Sequence, residues 1–356
     1  MMNYKEALFF IGKCLTITHE NKNRLEIEQK LQKGDIDWDT IVKVSTGQFV
    51  FPALYCNLKR VDFLHYLPDD LVEYMKYITN LNHERNQQLI NEAKEINELL
   101  LYNNITPIFL KGTGNLLEGL YEDIAERMVG DIDLLVHKND FDITVKALKK
   151  YGYSEKIKYF VDNTIVNRHY PKITKEHKIG AIEVHYKMIT DEKYFNYDSI
   201  KLKTILKNIT VLSWEDQILM TSYNKQINDK GQWYKTVSLR NSYDLYLLSK
   251  KASVKKTINS FKNPTSVLLN NFVASSNLIF SNPKTLEYTK TKKTELFLKK
   301  ENEFLLKPKK LIFNKKLWNI YFFSKTTFFV VLKSFYDKKH LKYTFSKIID
   351  FFKPNS

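Results

Sequence analysis

The chain has 356 residues, 43% hydrophobic and 14% aromatic, which excludes a disordered polymer and supplies material for one large core or several smaller ones. Its two cysteines, Cys14 and Cys56, have no neighbouring Cys or His at ligand spacing, which argues against a disulfide scaffold or a zinc site and fits a reducing compartment. The formal charge of +16 is uneven: residues 299–356 carry 14 Lys against 4 acidic residues, a net of +10, a pattern that attracts nucleic acid, anionic lipid or an acidic partner.

Met1–Glu6 lacks the basic start and long apolar stretch of a secretory leader, so a cytoplasmic location is expected. No window reaches about eighteen apolar residues free of charge. Leu317–Leu332 comes nearest and is interrupted by Lys325.

In chain order, residues 1–104 read as helical, with the best-formed stretch over Asn82–Tyr102, where Leu89, Ala93, Ile96 and Leu100 recur at three-to-four-residue spacing. Ile105–Leu110 is a short strand whose Pro107 sits near its start. After Lys111-Gly112-Thr113-Gly114, the pattern of Leu116, Leu117, Leu120 and Tyr121 predicts a helix. Ile132–Val136 is a compact apolar strand. Asn139 or Asp140 caps the next helix, Phe141, Val145 and Leu148 form its apolar face, and Gly152 stands just past its end. Residues 153–187 alternate as two or three strands, ending in Ile179–Met188. Helices then return, clearest at Trp214–Tyr223 and Tyr243–Lys255, with Pro264, Pro283 and Pro308 as punctuation.

Three elements carry chemistry. Asp131 and Asp133 are two apart on a strand, so their carboxylates share a face. Such a pair repels unless a cation sits between, and magnesium suits oxygen ligands. Lys111-Gly112 closes the preceding strand where a helix begins, a place for a point charge, a close backbone approach or a positive φ, and phosphate contact. Glu183, in Ala181-Ile182-Glu183-Val184-His185, would complete a three-acid site for two metal ions about 4 Å apart, as phosphoryl transfer requires.

These residues resemble the uncharacterised bacterial nucleotidyltransferases of the DNA-polymerase-β-like superfamily. The resemblance rests on Lys111-Gly112, on Arg127 three residues before Gly130-Asp131-Ile132-Asp133-Leu134-Leu135-Val136, on Gly152-Tyr153, and on Glu183 followed by His185. It covers residues 105–187 closely and runs more loosely to about Leu248. The fold it implies is α+β, with a small mixed-sheet nucleotidyltransferase domain; the pass along the chain sets this domain at 85–190, after a helical N-terminal segment over 1–84 and before a helical domain over 191–298 and a basic aromatic-rich helical tail over 299–356.

The activity it implies is transfer of a nucleoside monophosphate from a nucleoside triphosphate, ATP included, to a hydroxyl acceptor with release of pyrophosphate. The acceptor is a sugar phosphate, small molecule, protein side chain or RNA end. Asp131, Asp133 and Glu183 would be the catalytic, magnesium-binding residues, with two Mg2+ ions. Lys111, Gly112, Thr113 and Arg127 would bind the nucleotide, Arg127 by contacting phosphate or by locking the loop. His185 would support the metal ligands, and Asp244 would be structural.

The chain departs from the resemblance in having Gly-Thr for the usual Gly-Ser, and in having Tyr223-Asn224 where relatives carry His after the segment matching Ser213-Trp214-Glu215-Asp216. Alternative functions are a non-catalytic binding or regulatory protein on the same fold, or a toxin-like enzyme modifying RNA. In the tail, Trp318, Tyr321, Phe322, Phe328, Phe329 and Phe335 interleave with Lys315, Lys316, Lys325, Lys333 and Lys338. That pattern suits an amphipathic helix on an anionic membrane, and suits somewhat better a helical hairpin packing its aromatics into the second domain.

Overall fold

The structure is a computed structural model, and it describes residues 2–155, 168–189, 197–205, 208–261, 265–338 and 340–345. Part of the predicted 153–187 strand region, residues 156–167, lies outside these.

Four helices open the chain: α1 (Tyr4–Cys14), α2 (Asn21–Gln32), α3 (Trp38–Gly47) and α4 (Phe51–Arg60). Asn3 and Glu6 cap α1 reciprocally, side chain to backbone, and Asp37 accepts from the Thr40 N–H to start α3. Then α5 (Asp69–Tyr102) runs for 34 residues, roughly 50 Å. Leu89, Ala93, Ile96 and Leu100 are fully buried on one of its faces, as their spacing predicts, but the helix begins well before Asn82.

Among the described residues seven strands form one mixed sheet: β1 (Ile108–Phe109), β2 (Asp131–Leu135), β3 (Ser154–Glu155), β4 (Ile173–Thr174), β5 (Ala181–His185), β6 (Leu202–Ile205) and β7 (Ile209–Leu212). Their spatial order is β3-β4-β5-β2-β1-β7-β6. The centre pairs β2 with β5 in parallel and with β1 in antiparallel, and β7 joins β1 in parallel. Strands β6 and β7 were not anticipated by the alternation pattern, and they carry the sheet past residue 190.

Short helices connect the sheet. In α6 (Lys111–Leu117) the helix starts at Lys111 itself, so Leu120 and Tyr121 fall after its end rather than within it. The positive φ expected near Gly112 belongs instead to Lys111, at 53°. In α7 (Phe141–Lys150), Phe141, Val145 and Leu148 are buried and Gly152 takes φ +100° just past the end.

The remaining helices are α8 (Trp214–Tyr223), α9 (Gly231–Tyr234), α10 (Leu239–Ser249), α11 (Val254–Ser260), α12 (Ser266–Ile279), α13 (Lys292–Leu306) and α14 (Pro308–Ser334). A π-helical turn, Asn224–Asn228, continues α8. The single helix expected over Tyr243–Lys255 is two, α10 and α11, because Ser253 caps a new helix by accepting from the Lys256 N–H.

One apolar core runs continuously from Ala7 to Leu286. It gains nothing from α14, none of whose residues is buried. Packing of α14 into the body is therefore confined to a short patch, where Trp233 meets Trp318 and Phe322 with ring centroids 6.3 and 5.1 Å apart.

Candidate active site

The site begins with register. Strands β2 and β5 pair so that Asp133 lies opposite Glu183, Asp131 opposite Ala181, and Leu135 opposite His185. The pleat then turns Asp131, Asp133, Glu183 and His185 to one face. Apolar neighbours sink them into the sheet: Ile132, Leu134, Ile182 and Val184 are fully buried, and Asp133 is only 2% exposed.

His185 reaches back along the face. Its Nε2 lies 2.8 Å from Asp133 Oδ1 and 3.4 Å from Glu183 Oε2, and its buried Nδ1 has no partner among the described residues. Ligand atoms of Asp133, Glu183 and His185 all fall within 4.8 Å of one another. Asp131 stands one pleat away and accepts from Lys172 Nζ at 2.8 Å, so it is outside that tight group. Lys172 also sits 3.3 Å from Glu183.

Lys111 enters from the adjacent strand. The Leu110 N–H donates to the Asp133 carbonyl at 3.0 Å, and the left-handed backbone at Lys111 carries its ammonium onto the Asp133 carboxylate, 3.8 Å from Glu183. Left-handed φ costs a lysine on the order of 1 kcal/mol, which the surrounding contacts must offset. Burial would raise the Asp133 carboxyl above its usual range. Lys111 and His185 more than offset that and hold it below. Burial likewise opposes ionisation of Glu183, and the hydrogen bond from His185 with the Lys111 charge overcomes it, leaving this carboxyl well below the usual range.

The segment leading into β2 is held from several sides. Asn86 Nδ2 donates to the Ile124 and Arg127 carbonyls at 2.6 and 2.7 Å, and Asn82 Nδ2 to the Ala125 carbonyl at 2.7 Å. Arg85 donates to the carbonyls of Val129 and Gly130 at 3.3 and 3.4 Å. The buried Glu126 takes bonds from Arg60 and from Tyr243 Oη. Arg127 Nε lies 3.0 Å from both oxygens of Asp244, whose Oδ1 also accepts from Tyr121 Oη at 2.7 Å.

A cleft of about 290 Å³ opens over these groups, between the sheet and the helices α8 and α10. Of the residues expected to bind nucleotide, Lys111, Gly112 and Arg127 line it. A Cβ on Gly112 would meet Val129 Cγ2 at 2.9 Å, so this glycine answers to close approach. Thr113 does not line the cleft: its hydroxyl donates to the Asp131 carbonyl at 2.9 Å, tying α6 to β2.

Arg168 and Arg240 also line the cleft and were not singled out from the pattern, and Asn224, noted as a departure from the resemblance, lines it too. Arg168 donates to the Met188 carbonyl at 2.9 Å, and Arg240 Nε is buried without a partner among the described residues. A compositional signal was present. The chain holds 50 Lys and only 6 Arg, and three of those arginines (Arg127, Arg168 and Arg240) face this one cleft.

A family described as uncharacterised nucleotidyltransferase has a model that matches residues 34–259, well over half the chain. No curated protein matches.

Proposed function

Because the chain belongs to the uncharacterised nucleotidyltransferase family, we propose that it transfers a nucleoside monophosphate from a nucleoside triphosphate to a hydroxyl acceptor. The acceptor oxygen forms a bond to the α-phosphorus, the bond to the bridging oxygen breaks, and pyrophosphate leaves. The observation that carries this reading is the facing of Asp133 and Glu183 across paired parallel strands at the floor of an arginine- and lysine-lined cleft.

The donor chemistry fits a divalent cation. Asp133 and Glu183 offer hard oxygen ligands within 4.8 Å of each other, and Asp131 offers another on the same face. These three would hold magnesium, two ions in the full site, and His185 keeps Asp133 oriented through its 2.8 Å contact. Bound magnesium would neutralise charge on the triphosphate and lower the pKa of the attacking hydroxyl.

The chain's own groups do the rest. Lys111 and Arg168 bring positive charge to the carboxylate side of the cleft, Arg127 and Arg240 to the α10 side. Arg240, with its unpartnered Nε, is suited to a bidentate grip on phosphate. Glu183 would hold the second metal ion or help to deprotonate the acceptor hydroxyl. Arg127 stays fixed on Asp244, so it offers the cleft a preset charge and does not reorganise during reaction.

A second reading has a specific observation behind it. Lys111 and Lys172 already pair with Asp133, Asp131 and Glu183, as they would in a nucleotide-binding protein that never turns over.

Incubation with each α-labelled nucleoside triphosphate, magnesium and cell extract, beside Asp133→Asn, separates the two. Label on an acceptor with wild type alone supports transfer, and label on RNA would make the protein an RNA-modifying enzyme. Magnesium-independent nucleotide binding without transfer supports the binding protein.

A further inference from the structure

Helix α14 carries six lysines and no acidic residue. Its first half is docked. Asn314 Nδ2 donates to the Trp233 carbonyl at 3.0 Å, and Lys230 lies 4.5 Å over the Phe322 ring. Beyond Phe322 the helix leaves the body. Phe323 is 73% exposed, Phe328 63%, Phe329 49% and Phe335 82%, with Val331 and Leu332 also exposed. Between Lys325 and Lys333 lie seven residues, Thr326 to Leu332, without a charge.

At 100° per residue, Phe323, Phe328, Phe329, Val331 and Leu332 spread over about 240° of the helix circumference, and Phe328, Phe329, Val331 and Leu332 fall within about 160° of it. Apolar surface over so wide an arc belongs in apolar surroundings, and the described residues leave it largely exposed. The cations are equally uncommitted. Lys310 pairs with Glu303 at 2.8 Å, whereas Lys309, Lys315, Lys316, Lys325 and Lys333 have no carboxylate partner among the described residues.

The occupant must therefore be apolar and anionic together. A nucleic acid supplies phosphates but leaves Val331 and Leu332 in water. A bilayer with anionic headgroups supplies both, acyl chains for the phenylalanines and phosphates for the lysines. No helix among the described residues is long and apolar enough to cross a membrane, so the contact is with its surface.

We propose that the outer half of α14 anchors the protein peripherally to an anionic lipid bilayer. Phe328, Phe329, Val331 and Leu332 enter the acyl region, and Lys325 and Lys333 lie at headgroup level. The proposal stands apart from nucleotidyl transfer and would survive the failure of that reading.

Flotation of the full chain with phosphatidylglycerol-containing vesicles, beside vesicles of phosphatidylcholine alone, tests it. Binding to the anionic vesicles should exceed binding to the neutral ones by at least about tenfold and weaken in high salt. Phe328→Ser with Phe329→Ser should cut it by at least about tenfold with helicity and melting unchanged, both side chains being exposed. Lys325→Gln with Lys333→Gln should reduce binding to anionic vesicles alone.

Failure of the wild type to float overturns the proposal, as does flotation that ignores the phenylalanine pair. So does a wild-type dimer that the phenylalanine substitutions turn into a monomer, since a second copy would then cover the helix. RNA binding that depends on the lysines, without flotation, would assign the helix to nucleic acid instead.

Discussion

The cleft and the C-terminal helix are both rich in cations, and they hold them in opposite ways. Around the cleft most of the positive groups are committed, Lys111 to Asp133, Lys172 to Asp131 and Arg127 to Asp244, with the unpartnered Arg240 Nε as the exception. On α14 the positive groups are all lysines, exposed but for the half-buried Lys315, and mostly without a carboxylate in reach. The contrast extends to residue type, since half of the six arginines face the cleft and none lies in the tail. A charge that must sit at one point is an arginine or a clamped lysine. A charge that need only be present near a surface is a free lysine.

The widest separation comes from Asp133→Asn. Transfer should fall by at least about 10³-fold while vesicle flotation stays unchanged. A parallel loss of both would mean that the two regions are not independent.

Next is the cost of uncommitting a buried charge. Asp244→Ala leaves Arg127, itself 7% exposed, without its partner and should destabilise the fold by about 3–5 kcal/mol in urea unfolding. Lys325→Gln in the tail should change stability by less than about 0.5 kcal/mol. Equal effects would erase the contrast.

A smaller effect lies between the regions, at Glu301 of α13, 6% exposed and accepting from Ser275 Oγ at 2.7 Å. Burial pushes its carboxyl up to about 7, against the favourable charges of Lys225 and Lys235. The folded protein thus keeps a proton that the unfolded chain releases near its ordinary value of 4.5, so stability falls as pH rises between about 4.5 and 7. Glu301→Gln should remove that decline, a difference on the order of 2 kcal/mol read as melting temperature at pH 5 and pH 8. A wild-type stability that is flat across this window would contradict it.

The smallest is Arg240→Lys, which keeps charge but loses the fork. The KM for the nucleotide should rise about tenfold with kcat little changed. An unaltered KM would leave Arg240 outside nucleotide binding.

The part of the site that local pattern exposes is the part carried on strands. Asp131, Asp133 and Glu183 announce themselves because a carboxylate inside an apolar run is costly without a purpose, and the i, i+2 spacing fixes their common face. Helix α8 matches its expected span, Trp214–Tyr223. What stays hidden depends on distance along the chain. Arg168 and Arg240 meet across the cleft only because the fold places them there, and neither sits in a telling pattern. Strands β6 and β7 are hidden for another reason: they are four residues each, one at the sheet's edge, with no strict alternation to mark them. The break between α10 and α11 turns on one capping serine, Ser253, in an otherwise helical stretch.

The carbonyls leading into β2 are gripped by Asn82, Arg85 and Asn86, all on α5 and all outside the sheet. The aim of the carboxylates is therefore stored in a helix that does not line the cleft. A fragment starting at residue 105 would keep every strand and every acid of the site, yet it would inherit a gun without its mount.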